Sequence, residues 1–237
     1  MNLILLERKD FLKSEKHRAR LIGRRQKHVL EIHKAKLGDE LCVGLINGKI
    51  GRGKVVTLDS DTLELDVEFL EKPPVKIPVV LVLALPRPIM LKRILSTITT
   101  LGVKELILIN SWRVEKSFWN SSIFKGEEIK DQIVLGLEQA RDTILPQISF
   151  RRYFSSFVRN EVPKLIKGKL ALVGHPEAGE ICPYHVKKET VLFIGPEGGF
   201  IDSEIDALKA RGVKPVSLGK RILRVETAVD ILLGRLF

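Results

Sequence analysis

The chain is poor in cysteine: Cys42 and Cys182 are its only two in 237 residues, with no Cys-x-x-Cys and no pair of histidines at ligand spacing. That excludes a disulfide framework and argues against structural zinc, so no metal is expected and both thiols are read as packed or lightly exposed. Long hydrophobic runs are missing too. The longest, "VVLVLAL" from Val79 to Leu85, is fenced by Pro78 and Pro86, far short of the ~20 residues a membrane helix needs. The amino terminus "MNLILLERKD" turns charged after six residues without a small-residue cleavage site, so no secretory signal is expected and the cytoplasm is the expected compartment. No GxGxxG follows any strand, which disfavours a Rossmann dinucleotide site. The run Gly48 to Lys54 approaches a phosphate-binding loop, but Val55 stands where a hydroxyl must meet magnesium, and the run lies inside an expected hairpin. There is no internal repeat and no low-complexity tract, and 44% hydrophobic residues is far from a disordered composition. The length suits one large core or two modest ones.

What is present in excess is positive charge. The formal net charge is +11, and residues 1–36 hold eleven Lys and Arg against four acids. The stretch "KSEKHRARLIGRRQKH", with Arg18, Arg20, Arg24 and Arg25, reads either as the footprint of a polyanion, where each neutralised phosphate releases a counterion, or as a solvated basic surface. Charge alone does not separate RNA from DNA.

Along the chain, Leu41 to Leu70 reads as strands. "LCVGLI" and "GRGKVVTL" flank Asn47-Gly48, a favoured two-residue hairpin turn, and "TLELDVEFL" alternates apolar with polar. "EKPPVKIP" then breaks the chain with three prolines, placing a domain boundary between residues 1–73 and 74–237. Beyond it strands and helices alternate. "IPVVLVLAL" and "VKELILIN" are strands buried on both faces, separated by the helical "IMLKRILSTITTLG". Further helices are expected over about Ile129–Leu145, stopped by Pro146, and near Ser155–Ile166. Strands follow at "KLALVG", "TVLFIG" and "KPVSLG", with helices starting near Asp202 or Ser203 and near Val225. This grammar gives an α/β domain with a largely parallel sheet.

Two loops stand out. "GPEGGF" leaves the strand "TVLFI" and enters a helix for which Ser203 and Asp206 suit a capping role. Gly-rich turns of this kind usually cradle phosphate, yet Glu197 would repel one, so either the turn only reverses the chain or its ligand is not a phosphate. "LGKRILRVETA" repeats the architecture: a strand end, Gly219, then Ile222 and Leu223 among Lys220, Arg221 and Arg224, with Glu226 in the first turn of the last helix. An acid there is also favoured by the helix dipole alone.

Together, "FIGPEGGFIDSEIDAL" and "VSLGKRILRVETAVDILLGRLF" resemble the carboxyl-terminal signature of the SPOUT-class knotted methyltransferases, specifically the bacterial 16S ribosomal RNA uridine N3-methyltransferase family. The likeness extends to "LALPRPIMLKRILSTITTLGVKELILINSWRVEKS", "LEQARDTILPQI" and "RQKHVLEIHKAKLGDELCVGLINGKIG", nearly the whole chain. It departs where many members carry Lys-x-x-Glu-Leu-Gly-Val and this chain has "STITTLGV", with Thr100 at the Glu position.

The resemblance implies a small PUA-like β-barrel RNA-binding domain before an α/β trefoil-knotted methyltransferase domain with a parallel sheet, working as a homodimer on 16S rRNA of the small ribosomal subunit. It implies S-adenosylmethionine bound between the strand end near Leu172 to His175, with Leu172, Val173 and Gly174, the loop Gly195, Pro196, Glu197, Gly198 and Gly199, and the loop residues Leu218, Gly219, Ile222 and Leu223. A cationic cofactor would make the Glu197 carboxylate no liability. Arg221 or Arg224 is then the candidate for stabilising charge on the uracil oxygens, with Glu226 orienting that arginine or accepting the proton. The alternatives are an enzyme of this class with another RNA target and a non-catalytic RNA binder that kept the fold.

Overall fold

The computed structural model describes residues 2–59 and 62–237; residues 60 and 61, inside the stretch read as strands, lie outside the described residues. The chain divides into two compact units, one of Met1–Val75 with Ile133–Leu145, the other of Lys76–Gln132 with Pro146–Phe237.

The first unit is a five-stranded sheet in the order β1-β3-β4-β5-β2, built from β1 (Ile4–Leu6), β2 (Arg18–Leu21), β3 (Glu40–Leu45), β4 (Ile50–Leu58) and β5 (Leu63–Glu71), with the short helix α1 (Gly23–His28) after β2. Only the β1–β3 pair is parallel. Strands β1 and β2 were not anticipated: one has three residues and the other lies in the basic run, where charge hides the alternation. The inward positions Ile4, Leu6, Ala19, Leu21, Val43, Val55, Leu63 and Leu65 form the unit's core. The glycines of Gly48–Lys54 serve the sheet. A Cβ on Gly51 would lie 1.8 Å from the backbone oxygen of Glu68, beside the register shift between Ile50 and Gly51.

The hairpin turn differs from a two-residue Asn-Gly loop. Its centre is Ile46-Asn47, with Asn47 at φ 56° and the Gly48 N–H donating to the Leu45 carbonyl at 2.7 Å. Asparagine tolerates the left-handed region, and this one is also held from outside. Its N–H donates to Thr143 O at 2.8 Å, its Oδ1 accepts from Leu145 N at 3.1 Å, and Thr143 Oγ1 donates to Gly48 O at 2.5 Å. Those contacts explain why Ile133–Leu145 joins this unit and why α3 (Glu128–Ala140) ends five residues before the expected Leu145. Arg141 takes φ 55°, the Asp142 N–H closes on Leu137 O at 3.0 Å, and the chain is then extended. This is a left-handed helix stop with its six-residue closing bond, and Asp142 Oδ1 accepts from the next two backbone N–H groups.

The second unit is a six-stranded sheet, every pair parallel, in the order β11-β9-β10-β6-β7-β8. Its strands are β6 (Ile77–Ala84), β7 (Val103–Ile109), β8 (Gln147–Arg151), β9 (Leu170–Gly174), β10 (Thr190–Ile194) and β11 (Lys214–Val216). Strand β8 is an edge strand, half exposed and without a strong apolar signature, and was not anticipated. The central β6 and β10 are buried on both faces, as their unbroken apolar runs require. Helices α2 (Pro88–Thr100), α6 (Asp202–Lys209) and α7 (Val225–Leu236) fall where expected. The helix read over Ser155–Ile166 is two, α4 (Phe154–Asn160) and α5 (Val162–Leu165), with Pro163 in the first turn of α5. Among the described residues no helix is long and apolar enough to cross a membrane.

Gly51→Ala is expected to cost about 3 kcal/mol, since backbone rather than a pliable side chain occupies the space; urea denaturation measures it. A second prediction concerns Glu138, 1% exposed and paired with Arg24 at 2.9 Å. Burial raises its pKa although Arg24 opposes the shift. A carboxyl whose folded pKa exceeds its unfolded one loses stabilisation as pH rises from the unfolded value through the folded one. Glu138→Gln is therefore expected to melt higher than the parent at pH 7, the difference vanishing below about pH 4.

Candidate active site

Because every strand pair in the second unit is parallel, all strand ends of one polarity share one edge. From β6 the chain builds outward through β7 and β8, and on the other side it places β9, β10 and β11. The strand order therefore switches between β6 and β10, where open parallel sheets leave a crevice at their carboxyl ends. A cleft of about 570 Å³ lies at this edge. Its walls are Gly174–Glu177 after β9, Ile194–Phe200 after β10, Val216–Leu223 after β11, Arg113 after β7, and Val225, Ala228 and Leu232 on α7.

The β10 loop approaches its surroundings through bare backbone. A Cβ on Gly195 would stand 2.9 Å from Phe200 N, and one on Gly198 would stand 2.9 Å from Arg113 Cδ. Pro196 to Gly199 closes as a tight turn, with the Gly199 N–H donating to Pro196 O at 2.8 Å. The Glu197 carboxylate accepts the backbone N–H of Arg87 at 2.9 Å, so it joins the loop after β10 to the residue that opens α2, across the switch point. Arg113 Nη1 donates to Gly198 O.

Glu204 makes the second such connection. It is 7% exposed; one carboxylate oxygen accepts the N–H of Ile201 at 3.1 Å and the other accepts the N–H of Trp112 at 2.8 Å. The cap of α6 is thus Glu204 reaching back, not Ser203 or Asp206. A carboxylate bonded to two backbone donors satisfies groups that a loop and a helix start would otherwise leave bare. It also fixes the Arg113 turn against the β10 loop.

Of the residues singled out from sequence, Gly174, all of Gly195–Gly199, Leu218, Gly219, Arg221, Ile222 and Leu223 line the cleft. Leu172 and Val173 do not; they are buried within β9 beneath Gly174. Arg224 and Glu226 stand at the start of α7, outside the lining. His175, at the end of the strand segment expected to meet the cofactor, lines it too; Arg113, Glu177 and Asp202 also line it and were not anticipated. Their side chains follow strand ends and were separable from other surface charges only through the strand order. In the first unit, Arg25 is committed to Asp10 at 2.6 and 2.8 Å and to Leu5 O at 2.8 Å, with 16% side-chain exposure. Arg18 pairs with Glu15, Arg20 with Glu64 and Arg24 with Glu138. Lys13, Lys16 and Lys27 are exposed and unpaired among the described residues. No cluster of three or more metal-ligating side chains occurs among the described residues.

The sequence pattern of the RNA methyltransferase domain family matches residues 73–236. A ribosomal RNA small subunit methyltransferase E from Treponema pallidum is 28% identical over 236 residues, spanning 96% of this chain and 87% of the relative. Among solved structures, a Legionella pneumophila protein in complex with the cofactor SAM superposes with a TM-score of 0.76 at 23% identity, covering 98% of this chain and 95% of that one. A ribosomal RNA small subunit methyltransferase E from Neisseria gonorrhoeae, bound to S-adenosyl methionine, gives 0.73 at 18% identity with the same coverage. The likeness to these two structures is one of fold.

Glu204→Ala is expected to lose about 2–4 kcal/mol, because two backbone N–H groups lose their acceptor. Glu204→Gln, which keeps one acceptor oxygen, should recover roughly half of that. Equilibrium urea denaturation of both variants measures the difference; equal stability of Glu204→Ala and the parent removes the clamp.

Proposed function

The chain belongs to the RNA methyltransferase domain family, and on that premise we propose that it transfers a methyl group from S-adenosylmethionine to N3 of a uridine in 16S rRNA of the small ribosomal subunit. The observation that carries this reading is the cleft at the carboxyl edge of the parallel sheet, walled by both loops that the family signature comprises. The residues present fit that cofactor. The volume lies within the range of small-molecule sites, and at Gly199 and Gly219 a Cβ would meet nothing within 4 Å, so backbone is bare at the wall. Leu218, Ile222 and Leu223 offer apolar surface to an adenosine, and Glu177, Glu197 and Asp202 offset a sulfonium and an ammonium. Gly174, Gly195–Gly199, Leu218, Gly219, Ile222 and Leu223 would hold it, with Leu172 and Val173 setting the height of the β9 wall. S-adenosylmethionine, when bound, supplies an electrophilic methyl group on sulfur.

Uridine N3 lies on the pairing edge and normally bears a proton. The base must therefore be unpaired or flipped out, and the proton must leave before or during attack. Arg221, in the cleft wall, stabilises negative charge on the uracil carbonyl oxygens. Arg224, at the head of α7, shares that task, with Glu226 orienting it or accepting the proton. In the same reading, residues 74–237 are the knotted SPOUT domain and residues 1–73 a PUA-like barrel that grips rRNA phosphates, and the protein works as a cytoplasmic homodimer. The grip is assigned to Arg18, Arg20 and Arg24 with Lys13, Lys16 and Lys27, while Arg25 holds the fold together.

Incubation with methyl-labelled S-adenosylmethionine and unmodified small subunits, followed by nucleoside analysis, is expected to put label in 3-methyluridine. Label in another nucleoside replaces the target, and absence of label overturns the activity. Arg221→Ala is expected to lower kcat about 100-fold while still binding the cofactor. Turnover at the parental rate removes Arg221 from its role.

A further inference from the structure

The cleft rim continues along the same sheet edge into a surface that the proposed chemistry does not use. After β7, Ser111 to Val114 forms a tight turn, with the Val114 N–H donating to Ser111 O at 3.1 Å. Its flanks are buried, Ser111 at 3% exposure and Val114 at 7%, while Trp112 at the tip is 77% exposed. The turn is not loose. The Trp112 backbone is held by buried Glu204, and the neighbouring Arg113 side chain by Gly198 O. The indole itself has no ring, cation or hydrogen-bond partner among the described residues.

The adjacent strand end is alike. The Asn110 N–H donates to Arg151 O at 2.9 Å, extending the β7–β8 pairing and bringing residues 152–153 beside the turn. Tyr153 is 79% exposed. Arg152 lies over the Trp119 ring at 5.2 Å, and that ring is fixed by stacking on Phe124 and by its Nε1–H donating to Asn110 Oδ1 at 2.9 Å. Glu161 is taken up by Arg151 at 2.7 Å, which leaves Glu115 as the exposed acid beside the turn.

An exposed, backbone-anchored indole and phenol interleaved with arginines is what single-stranded nucleic acid binds: rings stack on bases and cations meet phosphates. Trp, Tyr and Arg are also the residues of protein–protein hot spots, so a second copy of the chain is the rival occupant that the experiment below separates. The geometry points to Trp112, Tyr153, Arg113 and Arg152 as a stacking ledge for the unpaired RNA nucleotides that flank the target base. The ledge holds the strand in register while that base enters the cleft. This inference rests on the reading of the protein as an RNA methyltransferase.

Methyl transfer to unmodified small subunits tests it, comparing the parent with Trp112→Ala, Tyr153→Ala and their combination. Each loss is expected to raise KM for the subunits roughly ten-fold, with KM for S-adenosylmethionine unchanged and most of the effect rescued by Trp112→Phe and Tyr153→Phe. A doubly substituted variant that folds, binds the cofactor and keeps the parental KM for subunits overturns the ledge. So does a change of its sedimentation from dimer to monomer, which makes the patch an interface between copies. Binding can be read without turnover. In a Trp119→Phe background Trp112 is the only indole, and a single-stranded oligoribonucleotide is expected to quench its fluorescence. Quenching without methylation of subunits sinks the proposed activity and keeps the ledge; methylation without quenching does the reverse.

Discussion

Carboxylate to backbone hydrogen bonding holds the working edge of this protein. The loops leaving a parallel sheet have no ladder to constrain them, and their N–H groups need acceptors. Here two acidic side chains supply them. Glu197 spans the switch point to the Arg87 N–H, and Glu204 joins the Trp112 N–H to the start of α6. With the Arg113 contact to Gly198 O, three loops become one body, and the bare glycine backbone between them can be held open toward a ligand without collapsing on itself. A fixed cleft binds with less ordering cost than a loose one.

The same economy governs the cations. Of the basic residues near the amino terminus, the four arginines singled out from sequence are all paired with acids of their own unit. The Arg25–Asp10 pair is the extreme case. Asp10 is 7% exposed and accepts two guanidinium bonds, so removing either partner would strand a buried charge. Among the described residues of that stretch, the uncompensated charge facing solvent is carried by Arg8 and by lysines such as Lys13, Lys16 and Lys27; lysines, compact and strongly hydrated, suit phosphate contacts that need no fixed geometry.

Much of the second unit was legible because its signals are local. Strands β6 and β10 are unbroken apolar runs, α2 stops at Thr100 just before Gly102 at φ 78°, and the two glycine loops sit where their turns require. Readings failed where a distant contact outweighed a local preference. The helix over Ile129–Leu145 keeps its period to Pro146, yet it stops at Ala140 because Asp142, Thr143 and Leu145 are bonded as extended chain, two of them to the β3–β4 turn. Ser203 has the chemistry of a cap, but Glu204 alone also reaches Trp112.

The sequence by itself determined the α/β grammar, the two loops that carry the family resemblance and the sign of the surface charge, since period, glycine placement and composition are properties of short stretches. Only the tertiary structure decided which of those residues face one cleft. Strand order brought Gly174, Gly195 and Gly219 to a single edge and left Leu172 and Val173 beneath it, with Arg224 and Glu226 outside its lining. It also made Glu204 a clamp and Arg25 a buried partner, because a charge's role depends on the donor or acceptor that burial leaves within reach, and that donor or acceptor is often remote in the chain.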